Sequence, residues 1–523
     1  MNFMTNKAGR RIPDRINGEP VVPYMGVDEY RPGGRRYGPP ISSCADHPPG
    51  GDKRVGSLRE ALERCGLRDG MTLSTHHHFR NGDLLANQLF DIAHEMGVRG
   101  LRWFPSASFP CHGHLIPYLQ DGTIERIEGS MNGPLGKFVS EGGMSGTGVL
   151  RSHGGRYQAV QDGEVRIDIA VIGAPAADPF GNANGLYGSS ACGSLGFALA
   201  DSRYAEKVIV VTDHPVDFPC VPWQIQGNDV DCVVEVDRLG DPAQIVSGTT
   251  RITRSPDRLL LAELTARFCD AAGIIRDGFS FQSGAGGTSL AVGEYFRKIM
   301  KDKGIRARFA RGGSNKFLVS MLEEGLIDYL LDGQTFDLDG VRSMAENPNH
   351  IWTSPFTSYN YHGKGNFAGL VDVVVLGATE VDLEFNANVV THSDGYLLHG
   401  IGGWQNCLYS KTVILPLPLF RDRIPVLRER VTTLCGPGEL IDVIVTERGI
   451  AVNPLREDLI EATRNSSLPF KSLGELKQEA DRICGIPAPP RLEEKVVAVV
   501  KWVDGTVLDA VHQVSLPPAG QES

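Results

Sequence analysis

The sequence predicts an α/β protein of two related domains with mainly parallel sheets, preceded by an irregular N-terminal arm. Three observations carry this expectation. Short apolar strand signals alternate with helical periodicity along most of the chain. A strand–loop–helix–strand unit occurs twice: Arg68-Asp69-Gly70 opens a unit ending at Gly97-Val98-Arg99, and Arg276-Asp277-Gly278 opens one ending at Gly304-Ile305-Arg306. The marker glycines are almost equally spaced in the two copies. Each copy also places a distinctive loop directly after its first strand, where parallel sheets bind ligands.

Residues 1–56 are rich in Pro, Gly and Arg and show no periodicity, so they read as an arm that wraps a neighbouring domain or subunit or stays mobile. A first domain is expected over 57–265. Ser57 and Glu60 form a capping-box pattern for a helix. A strand at 71–75 then leads into His76-His77-His78-Phe79-Arg80-Asn81-Gly82-Asp83 and a helix stopped by Gly97. Further strand signals fall at 101–104, 167–173, 207–212 and 230–236. A second domain is expected over 266–515. Its strand at 279–282 passes through Ser283-Gly284-Ala285-Gly286-Gly287 into a helix carrying Val292, Phe296, Ile299 and Met300 on one face. Strands are expected at 327–331, 371–376, 412–417 and 441–446. A terminal hairpin with Asp504-Gly505 as a two-residue turn precedes a tail over 516–523.

Composition narrows the function classes. The 523 residues exceed one ordinary core, and the net charge of −11 gives no support for nucleic-acid binding. No run approaches the ~20 apolar residues of a membrane span. The N-terminus has no apolar core of a secretory signal. The ten cysteines form no CxxC pair or disulfide-like framework, which fits a reducing cytoplasm.

The glycine-rich turn points several backbone N–H groups at one spot, a site for an anion or for an oxygen that becomes negative. Gly284, Gly286 and Gly287 are the candidates, with Gln282 and Ser283 beside them. The loop with His76, His77, Arg80, Gly82 and Asp83 reads as a set of donors for a carboxylate-rich substrate. Its plainer reading is that these groups cap the next helix and bond neighbouring strands. Asn182 in DPFGNANG, with Asn386, Asn388, Gly402 and Gly403, forms amide- and glycine-dense turns that suit either a site or stacked turns. No metal site is expected. Three consecutive histidines cannot all face one ion comfortably, even with Cys111, His112 and His114 nearby. No GxSxG elbow follows a strand, and the glycine loop lacks the full dinucleotide pattern, with Arg308 and Arg311 where an acidic residue would stand.

Together QSGAGG, SHGGR, DPFGNANG, CGSLGFA, GTTRIT, NPNHI, FNANVVTHSDG, GIGG, RGIAVNP and DAVHQV resemble the alpha subunit of citrate lyase, over residues 57 to 514. The resemblance implies two coenzyme A-transferase-type domains and an exchange of acetyl for citryl on a carrier thioester. It implies a citrate lyase beta subunit and a gamma acyl carrier protein as partners, citrate and acetyl-CoA as substrates, an oligomeric assembly and a cytoplasmic location. No cofactor is expected to be bound covalently; the carrier's phosphoribosyl-dephospho-CoA thioester is a substrate. The wider family often carries a nucleophilic glutamate on the strand after the glycine-loop helix, where this chain has Arg308, so no covalent acyl-enzyme is expected. Arg80, His76, His77 and Arg308 are then the expected cationic partners of citrate. A citramalate-specific enzyme, a free acyl-CoA:carboxylate CoA-transferase and a non-catalytic acyl-CoA or carboxylate-binding protein are the alternatives.

Overall fold

Apolar runs without alternation require burial on both faces, which interior strands of a helix-covered parallel sheet provide. The computed structural model describes residues 2–30, 48–245, 251–284, 286–362 and 365–516. Residues 31–47 of the expected arm, 248–250 of GTTRIT, Ala285 of the glycine loop and 517–523 of the expected tail lie outside the described residues.

The first sheet contains β1 (Arg54–Val55), β2 (Thr72–Thr75), β3 (Leu101–Pro105), β4 (Ile124–Ile127), β5 (Ile169–Gly173), β6 (Lys207–Thr212) and β7 (Cys232–Glu235), in the order β1-β7-β6-β5-β2-β3-β4. The second contains β8 (Ser280–Ser283), β9 (Ala307–Ser314), β10 (Ile327–Thr335), β11 (His350–Trp352), β12 (Val373–Val375), β13 (Val413–Pro416), β14 (Val443–Thr446) and β15 (Gly449–Val452). Its order is β11-β10-β9-β8-β12-β13-β14-β15. All pairs are parallel except β14 with β15. Apart from the outer strands, the two sheets share one strand order.

The repeat extends to individual hydrogen bonds. Asp69 accepts the Arg99 backbone N–H at 2.8 Å, and Asp277 accepts that of Arg306 at 2.9 Å. Asp168 accepts from the Thr72 N–H at 2.7 Å, and Asp372 from that of Ser280 at 2.8 Å. Asp231 and Asp442 likewise accept the N–H groups of Val208 in β6 and Val413 in β13. Aspartates from elsewhere in each half thus set strand entry in both halves.

Several helices pack beside the first sheet. α1 (Leu58–Arg64) starts at Ser57, which accepts the Glu60 N–H, while the Glu60 carboxylate reaches the Gly56 N–H rather than completing a capping box. α2 (Leu85–Glu95), α3 (His153–Gln161) and α4 (Leu199–Tyr204) follow. In the second half α5 (Pro256–Ala271) and α6 (Gly287–Lys303) pack together beside that sheet. The terminal hairpin pairs Leu492–Lys501 with Val507–Val514, and Gly148–Leu150 adds a third strand. Its turn is longer than expected. The Trp502 N–H reaches the Thr506 carbonyl across Val503-Asp504-Gly505, and Gly505 takes φ 90°. A left-handed residue closing a three-residue loop is the bulged form of hairpin.

The described part of the arm packs on this hairpin. Asn6 donates to the carbonyls of Val507 and Leu508 at 3.0 and 2.8 Å and accepts from the N–H groups of Ala8 and Arg10. Asn6→Ala would leave these buried groups unsatisfied. We expect a loss of about 1–3 kcal/mol, read as a lower midpoint in urea unfolding, without loss of the two sheets by circular dichroism.

Candidate active site

The carboxyl ends of β8, β9 and β10 open onto a cavity of about 230 Å³ between the two halves of the chain. Gln282 and Gly284 come from the end of β8, Arg311 from β9 and Gln334 from β10. His153 and Phe197 close it from the first half, and Tyr359, Gly403 and Trp404 from the second. Among the described lining residues there is one guanidinium and no Asp, Glu, Lys or Cys. The cavity is therefore cationic, set in apolar and aromatic walls.

Arg311 is the charge that faces this space. It is 2% exposed, and its Nη1 donates to the Gln282 carboxamide oxygen at 2.7 Å. Its guanidinium lies over the Tyr359 ring at 4.5 Å. The buried Nε has no hydrogen-bond partner among the described residues. Gln282 in turn donates to the Cys407 sulfur at 3.0 Å, which fixes which end of its amide meets Arg311. A buried guanidinium without an acidic partner is costly unless an anion completes it.

The glycine loop approaches from the same strand ends. Gly286 is the N-cap of α6, and no side chain caps that end. The first N–H groups of a 17-residue helix are thus left for an anion or oxyanion. Gly286 takes an ordinary φ of −71°, and a Cβ there would meet no described atom within 4 Å, so the fold itself does not demand glycine at this position. Gly287 differs, because a Cβ would stand 2.9 Å from the Arg251 carbonyl.

In the first half, burial turns the expected cationic loop into a neutral scaffold. His76 Nε2 lies 2.7 Å from Asp201, and Arg156 makes a bidentate pair with the same carboxylate at 2.8 and 2.7 Å. His78 Nε2 donates to the Gly173 carbonyl at 2.7 Å. His77 Nδ1 is 2.6 Å from the Ser106 hydroxyl, and its ring stacks on His153 at 5.1 Å and packs on Phe197 at 4.4 Å. Burial lowers the pKa of His76 against the pull of Asp201, and holds His77 well below the usual imidazole range, helped by His153. Burial also takes His78 down to about 4, and burial with the nearby Arg156 takes His153 to about 3. His76 and His77 are therefore not cationic partners for a substrate.

The remaining expected residues divide sharply. Gln282, Gly284 and Gly403 line the cavity, whereas Gly286 and Gly287 stand at the start of α6 and are not among its lining residues. Ser283 lies in β8, paired with Gly312 and Val375. Arg80 is not among the lining residues: its guanidinium lies over the ring of Phe336 at 4.5 Å, and Phe336 lines the cavity. Gly402 accepts the His153 N–H at 2.7 Å and so holds the start of α3. Asp83 caps α2 through the Leu85 N–H and pairs with His112 at 3.0 Å, the plainer of the two readings. Gly82 allows close contact, since a Cβ would lie 2.6 Å from the Asp241 carbonyl. Arg308 is exposed and folded against Phe309, away from the cavity.

Asn182 and Asn386 are paired turn locks rather than substrate contacts. Asn182 donates to Asp178 and accepts the Gly227 N–H at 2.9 Å; Asn386 donates to Asp382 and accepts the Gly438 N–H at 2.9 Å. Asn388 is spent on Glu380 and on the Val390 and Thr391 N–H groups. Arg311, Gln334, His153 and Tyr359 are among the lining residues that sequence reasoning did not single out as site residues. The available signal for Arg311 was its place at the carboxyl end of a strand beside the glycine loop. Among the described residues no group of His, Cys, Asp and Glu is arranged to hold a metal ion, and no helix is long and apolar enough to cross a membrane.

Paired parallel sheets meeting at a cationic, glycine-bordered cavity are the architecture of a coenzyme A-transferase-like α/β protein. The family model for the citrate lyase alpha subunit (CitF) matches residues 51–514. The chain is 42% identical to the citrate lyase alpha chain of Escherichia coli K12 over 464 residues, 88% of this chain and 91% of that one. It is 42% identical to the citrate lyase alpha chain of Klebsiella pneumoniae over 460 residues, with 88% and 91% covered. A crystal structure from Streptococcus mutans, described as a candidate alpha subunit of citrate lyase in complex with citrate, superposes with a TM-score of 0.90 at 38% identity. That match covers 98% of this chain and 100% of that one. The alpha subunit of a malonate decarboxylase from Acinetobacter baumannii shares the fold at 17% identity and a TM-score of 0.58, over 82% and 89% of the two chains. The chain belongs to the citrate lyase alpha subunit family, a family of transferases.

Buried neutral imidazoles make stability depend on pH. His153 titrates at about 3 in the folded chain and near 6.5 when unfolded, so between these values only the unfolded chain binds the proton. Stability therefore falls as the pH drops through that window. The depressed Asp201 carboxyl extends the loss to lower pH. We expect thermal melts to fall in midpoint below about pH 6.5, and His153→Gln to flatten the slope by up to about 1.4 kcal/mol per pH unit.

Proposed function

We propose that this chain exchanges acetyl for citryl on an acyl-carrier thioester, converting acetyl-carrier and citrate into citryl-carrier and acetate. The observation that carries the reading is Arg311, a buried guanidinium with unfilled donor capacity at the edge of a cavity that Gly284 of the glycine loop also lines. A citrate carboxylate would pair with it bidentately. A second citrate carboxylate attacks the acetyl carbonyl; the C–S bond breaks, and carrier thiolate leaves a mixed anhydride. The thiolate then attacks the citryl carbonyl, forming the new thioester and releasing acetate. Substrate supplies the nucleophile, so the protein aligns groups and stabilises charge. Backbone N–H groups at Gly286 and Gly287 would hold each tetrahedral oxyanion; removing one such donor typically costs about 3–4 kcal/mol. Aromatic walls at Phe197, Phe336, Tyr359 and Trp404 would keep water from the anhydride.

Within this reading the thioester sits on the phosphoribosyl-dephospho-CoA group of a gamma carrier protein, with acetyl-CoA as its small surrogate. A beta subunit cleaves the citryl thioester, and the assembly works in the cytoplasm as an oligomer. The lack of a carboxylate among the described lining residues supports direct exchange over a glutamyl acyl-enzyme.

The test is to incubate the purified chain with acetyl-CoA and citrate and to follow citryl-CoA by mass spectrometry. We expect citryl-CoA and acetate in equal amounts. Arg311→Ala should lower kcat/KM for citrate by about 100-fold or more, the range for a buried charge-assisted pair. Gly286→Val should lower turnover while its melting midpoint stays close to that of the wild type, because a Cβ there meets open space. A folded, thioester-binding chain that yields no citryl-CoA would sink the proposal.

A further inference from the structure

The first half of the chain reaches the cavity through a chain of polar groups whose proton positions follow from geometry. The Ser106 hydroxyl accepts the His77 backbone N–H at 3.0 Å and lies 2.6 Å from His77 Nδ1. No other acceptor for the hydroxyl proton is found among the described residues, so Ser106 donates to Nδ1. The His77 proton is therefore on Nε2. The Gln334 side chain lies within interaction reach of the His77 imidazole. An Nε2–H donor can meet only the Gln334 carboxamide oxygen, which leaves the amide nitrogen with both protons free. Gln334 lines the cavity, on the strand next to that of Arg311.

The backbone under Gln334 is held as firmly as its side chain. Asp332 Oδ1 accepts the N–H groups of Gln334 and Ser314 at 2.8 and 3.2 Å, and Oδ2 accepts from the Thr335 hydroxyl at 2.7 Å. His350 packs behind the same carboxylate at 3.3 Å. The end of β10 is thus a rigid platform with one oriented amide donor.

We propose that Gln334 is a specificity-determining contact of this site, its amide N–H2 binding one carboxylate of a polycarboxylate acceptor while Arg311 binds another. Ser106 and His77 are positioning residues that turn the amide. The inference rests on the transferase reading above and deepens it. A monocarboxylate such as acetate can engage only one of the two donors, whereas a polycarboxylate spans both. The pair therefore favours retention of the incoming acid and release of acetate.

Steady-state kinetics with acetyl-CoA and citrate test this, using Gln334→Ala, Gln334→Glu, His77→Phe and the double variant His77→Phe with Gln334→Ala. Gln334→Ala should raise KM for citrate about 10- to 100-fold and leave KM for acetyl-CoA within about twofold. The isosteric Gln334→Glu should be worse for citrate, because it sets a carboxylate against the substrate, and it carries the test if the alanine variant does not fold. His77→Phe keeps the ring stack, frees the amide to flip and should raise KM for citrate less. The double variant should match Gln334→Ala alone, since the two residues act as a unit. Nitrogen-15 NMR of the wild type should find His77 protonated on Nε2. An unchanged KM for citrate in Gln334→Ala, additive effects in the double variant, or a proton on Nδ1 would overturn the assignment. A wild-type chain that makes no citryl-CoA would overturn the transferase reading itself, and the two failures are distinct.

Discussion

The Asp201 carboxylate, buried between His76 and Arg156, is the interaction on which the first half of the site depends. It ties the loop after β2, the helix α3 and the helix α4 to one point. From that point His77 and His153 are carried to the cavity wall, stacked on each other and against Phe197. Burial of one carboxylate with one guanidinium and one imidazole is tolerable because every charge is matched and hydrogen-bonded. Removing any member would leave the others unpaired in the interior. The cluster is a scaffold rather than a receptor.

The two halves use one architecture for different ends. Their sheets share a strand order, and aspartate caps occur at equivalent strand starts. The Asp178–Asn182 turn of the first half has a counterpart in Asp382–Asn386 of the second. In the first half the loop at the strand's carboxyl end is filled with side chains that bond back to the protein. In the second it is glycine, which exposes backbone N–H groups beside Arg311.

The cavity has no carboxylate or thiol among its described lining residues. Its polar side chains are the Arg311 guanidinium, the Gln282 and Gln334 carboxamides, the neutral His153 imidazole, the Ser358 and Tyr359 hydroxyls and the Trp404 indole. None of these gains or loses a proton readily near neutral pH in such surroundings. That inventory suits a reaction in which substrate carboxylates supply the nucleophile and the developing charge moves between oxygens and sulfur. Cys407 is drawn into the same set as the acceptor that orients Gln282, with burial raising its thiol above the ordinary value.

The sequence by itself determined the fold class, the internal repeat, the family and the position of the glycine loop at a strand end. Those features are local: periodicity and glycine spacing act within one unit of structure. It also located most strands, because buried parallel strands are read from unbroken apolar runs. Only the tertiary structure decided which polar side chains face the cavity. Arg308 and Arg311 lie three apart on β9 and so project to opposite faces, and nothing in their spacing says which face the other half will cover. Asn182, Asn386 and Asp83 look equally suited to a substrate or to a backbone N–H. Their partners at Gly227, Gly438 and Leu85 exist only once the turns close. The charge on His76 and His77 was decided the same way, by burial that the local sequence does not encode.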